Sequence, residues 1–143
     1  MLTKPKPRIF LDSNVIFSGL YSSKGAPSVI LDQFAEGKLR VVISQQVLDE
    51  VVRTIKAKLP EALPALRRLL VNASLEVVKN PSEREVARWA KVIHREDAAI
   101  LAAAIASHPD CLVTGDKHFF AKGIAEQSGL HIITPAQLLQ HIP

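Results

Sequence analysis

Short runs of β-branched and other apolar residues recur along the chain, and between them the apolar positions return every three or four residues. Five runs have the length and composition of strands: Arg8 to Leu11, Arg40 to Ile43, Leu75 to Val78, Cys111 to Val113 and His131 to Ile133. The intervening segments read as helices. Val15-Ile16-Phe17 opens the first, with Asp12 or Ser13 as its cap, and it fades by Tyr21-Ser22-Ser23. Gly25-Ala26-Pro27 restarts a helix, Pro27 fitting the first turn, with Val29, Ile30 and Phe34 on one face and Glu36-Gly37-Lys38 at its end. Ser44 is placed to cap a helix from Gln45 to Lys58 whose core face is Val47, Leu48, Val51, Val52 and Ile55. Glu50 borders that stripe, and Arg53 sits at the solvated centre of the opposite face. Pro60 and Pro64 bracket a break before a helix through Arg67 and Leu70, and Ser82-Glu83-Arg84-Glu85 has the form of a capping box ahead of Trp89. From Ala98 to Ala106 the chain is apolar nearly all the way round, which predicts a helix buried against the sheet, with Asp97 at its N-terminus. A short helix and a terminal helix from Pro135 flank the last strand.

Strands separated by helices predict an α/β fold: a three-layer α/β/α sandwich around a central, mostly parallel five-stranded sheet. The chain is expected to wind outward from strand one through two and three, then to return and set strand four on the other side of strand one. Asp12 and Asp116 then end the two strands that meet at the switch point, where ligands sit in folds of this kind.

With 143 residues, 48% of them apolar and 22% charged, residues 1–143 read as a single domain with a real core and no internal linker or repeat. The first seven residues, with Pro5 and Pro7, read as an extended lead-in rather than a signal peptide, and no stretch is long and apolar enough to span a bilayer. These features point to the cytoplasm. The single cysteine, Cys111, excludes an intramolecular disulfide and a cysteine-based zinc site, and its place at the start of a strand is that of a small buried hydrophobe. The net charge of +4 is modest; it bears on polyanion binding only if several of the 14 acids are gathered in one pocket, leaving the remaining surface more basic.

Four acids stand where convergence is possible: Asp12 and Asp116 at strand ends, Asp97 at the start of the buried helix, and Glu50 beside a core face. Each also has an ordinary reading, as a helix cap for Asp12 and Asp97, as turn chemistry for Asp116 and as a flank residue for Glu50. Two carboxylates about 4 Å apart repel by roughly 4 kcal/mol at an effective dielectric near 20, so a cluster of four requires a cation. Oxygen donors without cysteine or histidine favour Mg²⁺ or Mn²⁺, and such an ion can activate water and orient a phosphodiester.

The stretches Ile9-Phe10-Leu11-Asp12-Ser13-Asn14-Val15, Ser44 through Leu48-Asp49-Glu50, Asp97-Ala98-Ala99-Ile100-Leu101-Ala102 and Leu112-Val113-Thr114-Gly115-Asp116-Lys117 occur in this order. Together they resemble the PIN-domain ribonucleases, especially the single-domain toxins of toxin–antitoxin pairs. That resemblance implies a metal-dependent RNA endonuclease in which Asp12, Glu50, Asp97 and Asp116 form the Mg²⁺ or Mn²⁺ site. Ser13, Asn14 and Thr114 would support it, and Lys117, Arg95, Lys24 and Lys122 are candidates for holding the phosphate backbone. It further implies RNA as substrate, a homodimer, and an antitoxin whose arginine-bearing tail plugs the crevice. Many members carry an acid or amide two residues after the last aspartate, where this chain has His118; its imidazole can ligate or touch phosphate, a surface histidine is the commoner reading, and the number of metals is open at that point. Glu96 competes with Asp97, but the Ile100-Leu101-Ala102 register favours Asp97.

Other readings of the same acids fit less well. Haloacid-dehalogenase-like phosphatases need an acid where Asn14 stands and another near Phe119 and Phe120, and receiver domains need an aspartate where the third strand ends in Lys79. The non-enzyme alternative is a PIN-like domain that binds RNA or protein without cutting.

Overall fold

The computed structural model describes residues 6–141. The lead-in expected over the first seven residues therefore lies, for residues 1–5, outside the described part. Five strands, β1 (Arg8–Leu11), β2 (Arg40–Ser44), β3 (Glu76–Val78), β4 (Cys111–Val113) and β5 (Ile132–Ile133), form one sheet in the order β3-β2-β1-β4-β5, and every neighbouring pair is parallel. The chain winds outward to β3 and then crosses back to place β4 beside β1, so the switch point falls between those two strands.

Right-handed crossovers carry α1 (Ser13–Tyr21), α2 (Ala26–Ala35), α3 (Gln45–Lys58) and α4 (Leu63–Val71) along one direction of the sheet and so onto one face. The return from β3 to β4 reverses direction, which puts α5 (Glu83–Trp89) and α6 (Arg95–Ser107) on the other. The short α7 (Ile124–Ser128) connects β4 to β5, and α8 (Pro135–His141) packs back on α2. The strands are buried on both sides, as a covered parallel sheet requires: Ile9, Phe10, Leu11, Val42, Ile43, Leu112 and Val113 are wholly inaccessible. Each large side chain so removed from water contributes about 1.5–3 kcal/mol.

Local chemistry sets most boundaries. Ser44 Oγ accepts the Val47 N–H, and Ser82 and Glu85 form the reciprocal capping box. Helix α6 is buried through Ala98, Ile100, Leu101, Ala102, Ala103 and Ala104, its small side chains allowing close approach to the sheet. Gly19 serves the same end between α1 and α2: a Cβ there would stand 2.6 Å from Leu31 Cδ1 and 2.8 Å from the Pro27 carbonyl. Helix α2 corrects one expectation. Its buried face is Ile30, Leu31 and Phe34, while Val29 is exposed, because the partners of this helix lie on the i, i+1, i+4 side rather than the side through Val29.

The amino-terminal edge of the sheet is tied by Arg8. Its guanidinium donates to both carboxylate oxygens of Glu76 across β2, at 2.6 and 3.2 Å, and its Nε donates to the Ser107 carbonyl at 3.1 Å. The Arg8 backbone N–H donates to Asp110 at 2.7 Å. The hydrogen-bonded Arg8 partner holds the Glu76 carboxyl below its usual value, and Glu76 in turn raises Arg8.

Candidate metal centre

At the opposite, carboxyl-terminal edge, β1 ends in Asp12. Its backbone N–H still pairs with the Val113 carbonyl of β4, so the residue is held in the sheet while its side chain turns to cap α1. Three neutral donors fix the carboxylate: the Ser13 N–H at 2.8 Å on Oδ1, and the Asn14 amide at 3.0 Å and the Thr114 hydroxyl at 2.7 Å on Oδ2. Asn14 also accepts the Gly115 N–H at 3.1 Å, and Thr114 Oγ1 accepts the Asp116 N–H at 3.0 Å. The ends of β1 and β4 are thus stitched together by the side chains beside Asp12.

Glu50 reaches the same place from α3. Ser13 Oγ donates to its Oε2 at 2.9 Å, and Gln46, one turn earlier, donates to its Oε1 at 3.2 Å. Gln46 also bonds the Glu96 carbonyl, joining α3 to the start of α6. Asp97 is the third residue of α6. It is not the cap, which is His94, so its carboxylate is free to face the crevice. Asp116 caps the one-turn 3₁₀ helix Lys117–Phe120 by accepting the His118 N–H at 2.9 Å.

Asp12, Glu50, Asp97 and Asp116 all line one open crevice of about 980 Å³, together with Ser13 and Asn14. Thr114, wholly buried, stands behind Asp12. Of the basic candidates, Arg95 lines the crevice and pairs with Glu83, whereas Lys117, Lys24 and Lys122 are exposed and lie outside its wall. Arg53 corrects a second expectation: although exposed, it lines the crevice with Thr54, because the acid-bearing side of α3 forms a wall that turns toward α6. Its spacing of three residues from Glu50 was the available signal. Gln46, four residues before Glu50, carried the same signal and had no assigned role. Glu96 contributes its backbone carbonyl to the α3–α6 link and also lines the crevice, while Asp97 makes the carboxylate contacts.

Burial dominates the electrostatics of the site. Burial pushes the Asp12 carboxyl up to about 6, against the opposing hydrogen bonds from Thr114 and Ser13, and Glu50 and Asp116 push it the same way. Asp97 is raised by burial and by Asp116, against the influence of His118 and His94. His118 Nδ1 lies 3.3 Å from Asp116 and 3.5 Å from Asp97, and these three residues can offer one donor atom each within 4.8 Å of one another. An ionised carboxylate has about four acceptor positions, of which Asp12 uses three, leaving one on Oδ1. Oriented oxygen donors, an unused lone pair and a shortage of positive charge fit a hard divalent cation.

Fold and site together define a parallel α/β domain with an acid-lined crevice at its switch point. The chain belongs to the PIN domain family, whose model matches residues 8–118. No curated protein sequence matches the chain at a significant level. Among solved structures it is similar to VapBC2 from Rickettsia felis, bound to a DNA fragment from their promoter, with 18% identity, a TM-score of 0.65 and coverage of 89% of this chain and 98% of that one. It is also similar to PAE2754 from Pyrobaculum aerophilum (21% identity, TM-score 0.63, covering 95% and 89%) and to a toxin–antitoxin complex from Klebsiella pneumoniae (17%, 0.61, covering 89% and 97%). At these identities the likeness is one of fold.

Proposed function

We propose that this PIN domain is a divalent-metal-dependent endoribonuclease and the toxin of a toxin–antitoxin pair. The observation that carries the reading is the meeting of Asp12, Glu50, Asp97 and Asp116, from four separate segments, in one crevice. Asp12 is only 3% exposed there and is held by neutral donors alone. Asp12, Asp97 and Asp116 would hold Mg²⁺ or Mn²⁺, directly or through water, and Glu50 would position metal or water. When bound, such an ion supplies Lewis acidity and makes water a nucleophile at neutral pH. Ser13, Asn14 and Thr114 orient the carboxylates, and Arg53 and Arg95 on the crevice wall are placed to hold phosphate oxygens. Attack in line at phosphorus would leave 5′-phosphate and 3′-hydroxyl ends.

Charge distribution supports a polyanionic substrate. Six of the chain's 14 acids (Asp12, Glu50, Glu83, Glu96, Asp97 and Asp116) line the crevice, leaving eight elsewhere, against 16 of its 18 basic residues. The surface outside the site is therefore far more basic than the net charge of +4 implies. The toxin–antitoxin complexes among its structural relatives support an antitoxin partner for this chain, and a homodimer and a cytoplasmic site of action complete the proposal. Among the described residues no helix is long and apolar enough to cross a membrane.

The test is cleavage of structured and unstructured RNA with Mg²⁺, with Mn²⁺ and with EDTA. Cleavage is expected with either metal, none in EDTA, and a loss of about 10²-fold or more in Asp12→Asn. Activity that persists through both chelation and the substitution rejects the mechanism. Metal binding without cleavage of any RNA points instead to a binding module.

A further inference from the structure

We propose that His118 is a nitrogen ligand of the metal held at Asp97 and Asp116, and that this donor set selects a divalent transition-metal ion over Mg²⁺. The inference rests on the reading of the crevice as a divalent-metal site and concerns which ion it takes.

The imidazole is delivered by a rigid local turn. Asp116 Oδ1 accepts the His118 N–H at 2.9 Å, and the next residue, Phe119, is 1% exposed and anchors the turn in the core. His118 itself remains on the surface, its side chain 64% exposed, with Nδ1 directed at the gap between the two carboxylates. A side chain with that much free space need not face two acids unless they attract it.

The distances favour a shared ion over a hydrogen bond. A charge-assisted N–H···O contact is about 2.7–2.9 Å long. Here Nδ1 stands 3.3 Å from Asp116 Oδ1 and 3.5 Å from Asp97 Oδ2, nearly equidistant and committed to neither. Donors about 2.1 Å from a common ion are separated by roughly 3.0 Å in an octahedral shell and 3.4 Å in a tetrahedral one. The two separations from Nδ1 therefore fall in the range of neighbouring ligands in a coordination shell, and all three donors lie within 4.8 Å of one another. A neutral imidazole lone pair and two anionic oxygens facing one space repel unless a cation lies among them.

Donor chemistry then sets the selectivity. Mg²⁺ prefers oxygen and dehydrates reluctantly, whereas imidazole binds first-row transition metals with affinity rising along the series from Mn²⁺. An acid or amide at this position would give an all-oxygen site that suits Mg²⁺. Histidine moves the preference away from it.

Mn²⁺ and Mg²⁺ binding to the full chain should be measured by calorimetry, and the Mn²⁺ complex examined by pulsed electron paramagnetic resonance for coupling to nitrogen. The expected result is a nitrogen coupling in the native protein and Mn²⁺ bound at least about tenfold more tightly than Mg²⁺. His118→Ala should abolish the coupling and most of the preference, while His94→Ala, at a histidine of the crevice wall outside this donor trio, should keep both. His118→Asp should restore Mg²⁺ affinity. Mn²⁺ binding that is lost in Asp12→Asn but shows no nitrogen coupling in the native chain would overturn the role of His118 and leave the carboxylate site standing, as would a coupling that survives His118→Ala. Failure of the native chain to bind either ion would overturn both proposals.

Discussion

The two ends of the sheet treat acidic side chains in opposite ways. At the amino-terminal edge Glu76 receives both arms of the Arg8 guanidinium, and Asp110 receives the Arg8 backbone N–H. Glu76 there has a charged donor, and it titrates below its usual range as a result. At the carboxyl-terminal edge Asp12, Glu50, Asp97 and Asp116 share a crevice, and the donors that hold Asp12 are a backbone amide, a carboxamide and a hydroxyl. Burial lifts Asp12 to about 6, and the hydrogen bonds from Thr114 and Ser13, which act the other way, do not bring it back to its ordinary value. One edge uses its acids to hold the fold together. The other gathers its acids on one crevice and buries one of them, Asp12, at a cost in stability.

The sharpest way to break this contrast is Asp12→Asn. Beyond the loss of cleavage, the metal-free variant should be more stable than the native chain. A shift from 3.8 to about 6 corresponds to roughly 3 kcal/mol at neutral pH, and mismatched donors around the new amide should reduce the gain to about 1–2 kcal/mol. Urea denaturation in EDTA measures it, and a less stable variant would show that Asp12 is matched after all.

Next in size is the pH dependence of the metal-free fold. Because the folded Asp12 carboxyl lies above its unfolded value, its contribution is fully present below about pH 4 and is lost as pH rises through about 6. Glu76, lowered in the fold, does the reverse: its contribution is present above its ordinary 4.5 and lost as pH falls. The stability difference between the native chain and Asp12→Asn should therefore widen by about 1.4 kcal/mol from pH 5 to pH 8. Metal affinity should weaken below about pH 6, where protons compete for Asp12; a flat profile for both quantities would count against the burial effect.

A smaller effect is expected from Thr114→Val, which keeps the shape but removes the hydroxyl that both holds Asp12 and accepts the Asp116 N–H. Metal affinity should fall by about tenfold, read by calorimetry. Smallest is Arg8→Ala at the opposite edge. Its partner Glu76 is half exposed and solvent screens the pair, so the cost should be about 1 kcal/mol in urea, with metal affinity unchanged. A change in metal affinity there would mean that the two edges are coupled.

Much of this layout is legible along the chain because its causes are local. Ser44, the capping box at Ser82 and Glu85, and the alanine-rich run of α6 each carry their own signal, and the five parallel strands follow from the alternation of periods. Val29 was misread because two adjacent apolar residues on a helix cannot both be ranked without knowing what packs there. Arg53 was misread for a related reason: solvation of a helix face can be inferred from periodicity, but which neighbouring element rises beside that face to make a crevice cannot.

The amino-acid sequence by itself determined the elements and their order in the sheet and offered four acids at segment ends and flanks, since caps, periods and crossover rules act over a few residues or through general rules. Only the tertiary structure decided that Glu50 and Asp97, 47 positions apart, open onto the same space as the ends of β1 and β4. It also decided that His118, though exposed, sets its Nδ1 beside Asp97 and Asp116. Those outcomes depend on distances of a few ångströms between segments remote in the chain, and such distances are fixed by packing, not by neighbours in sequence.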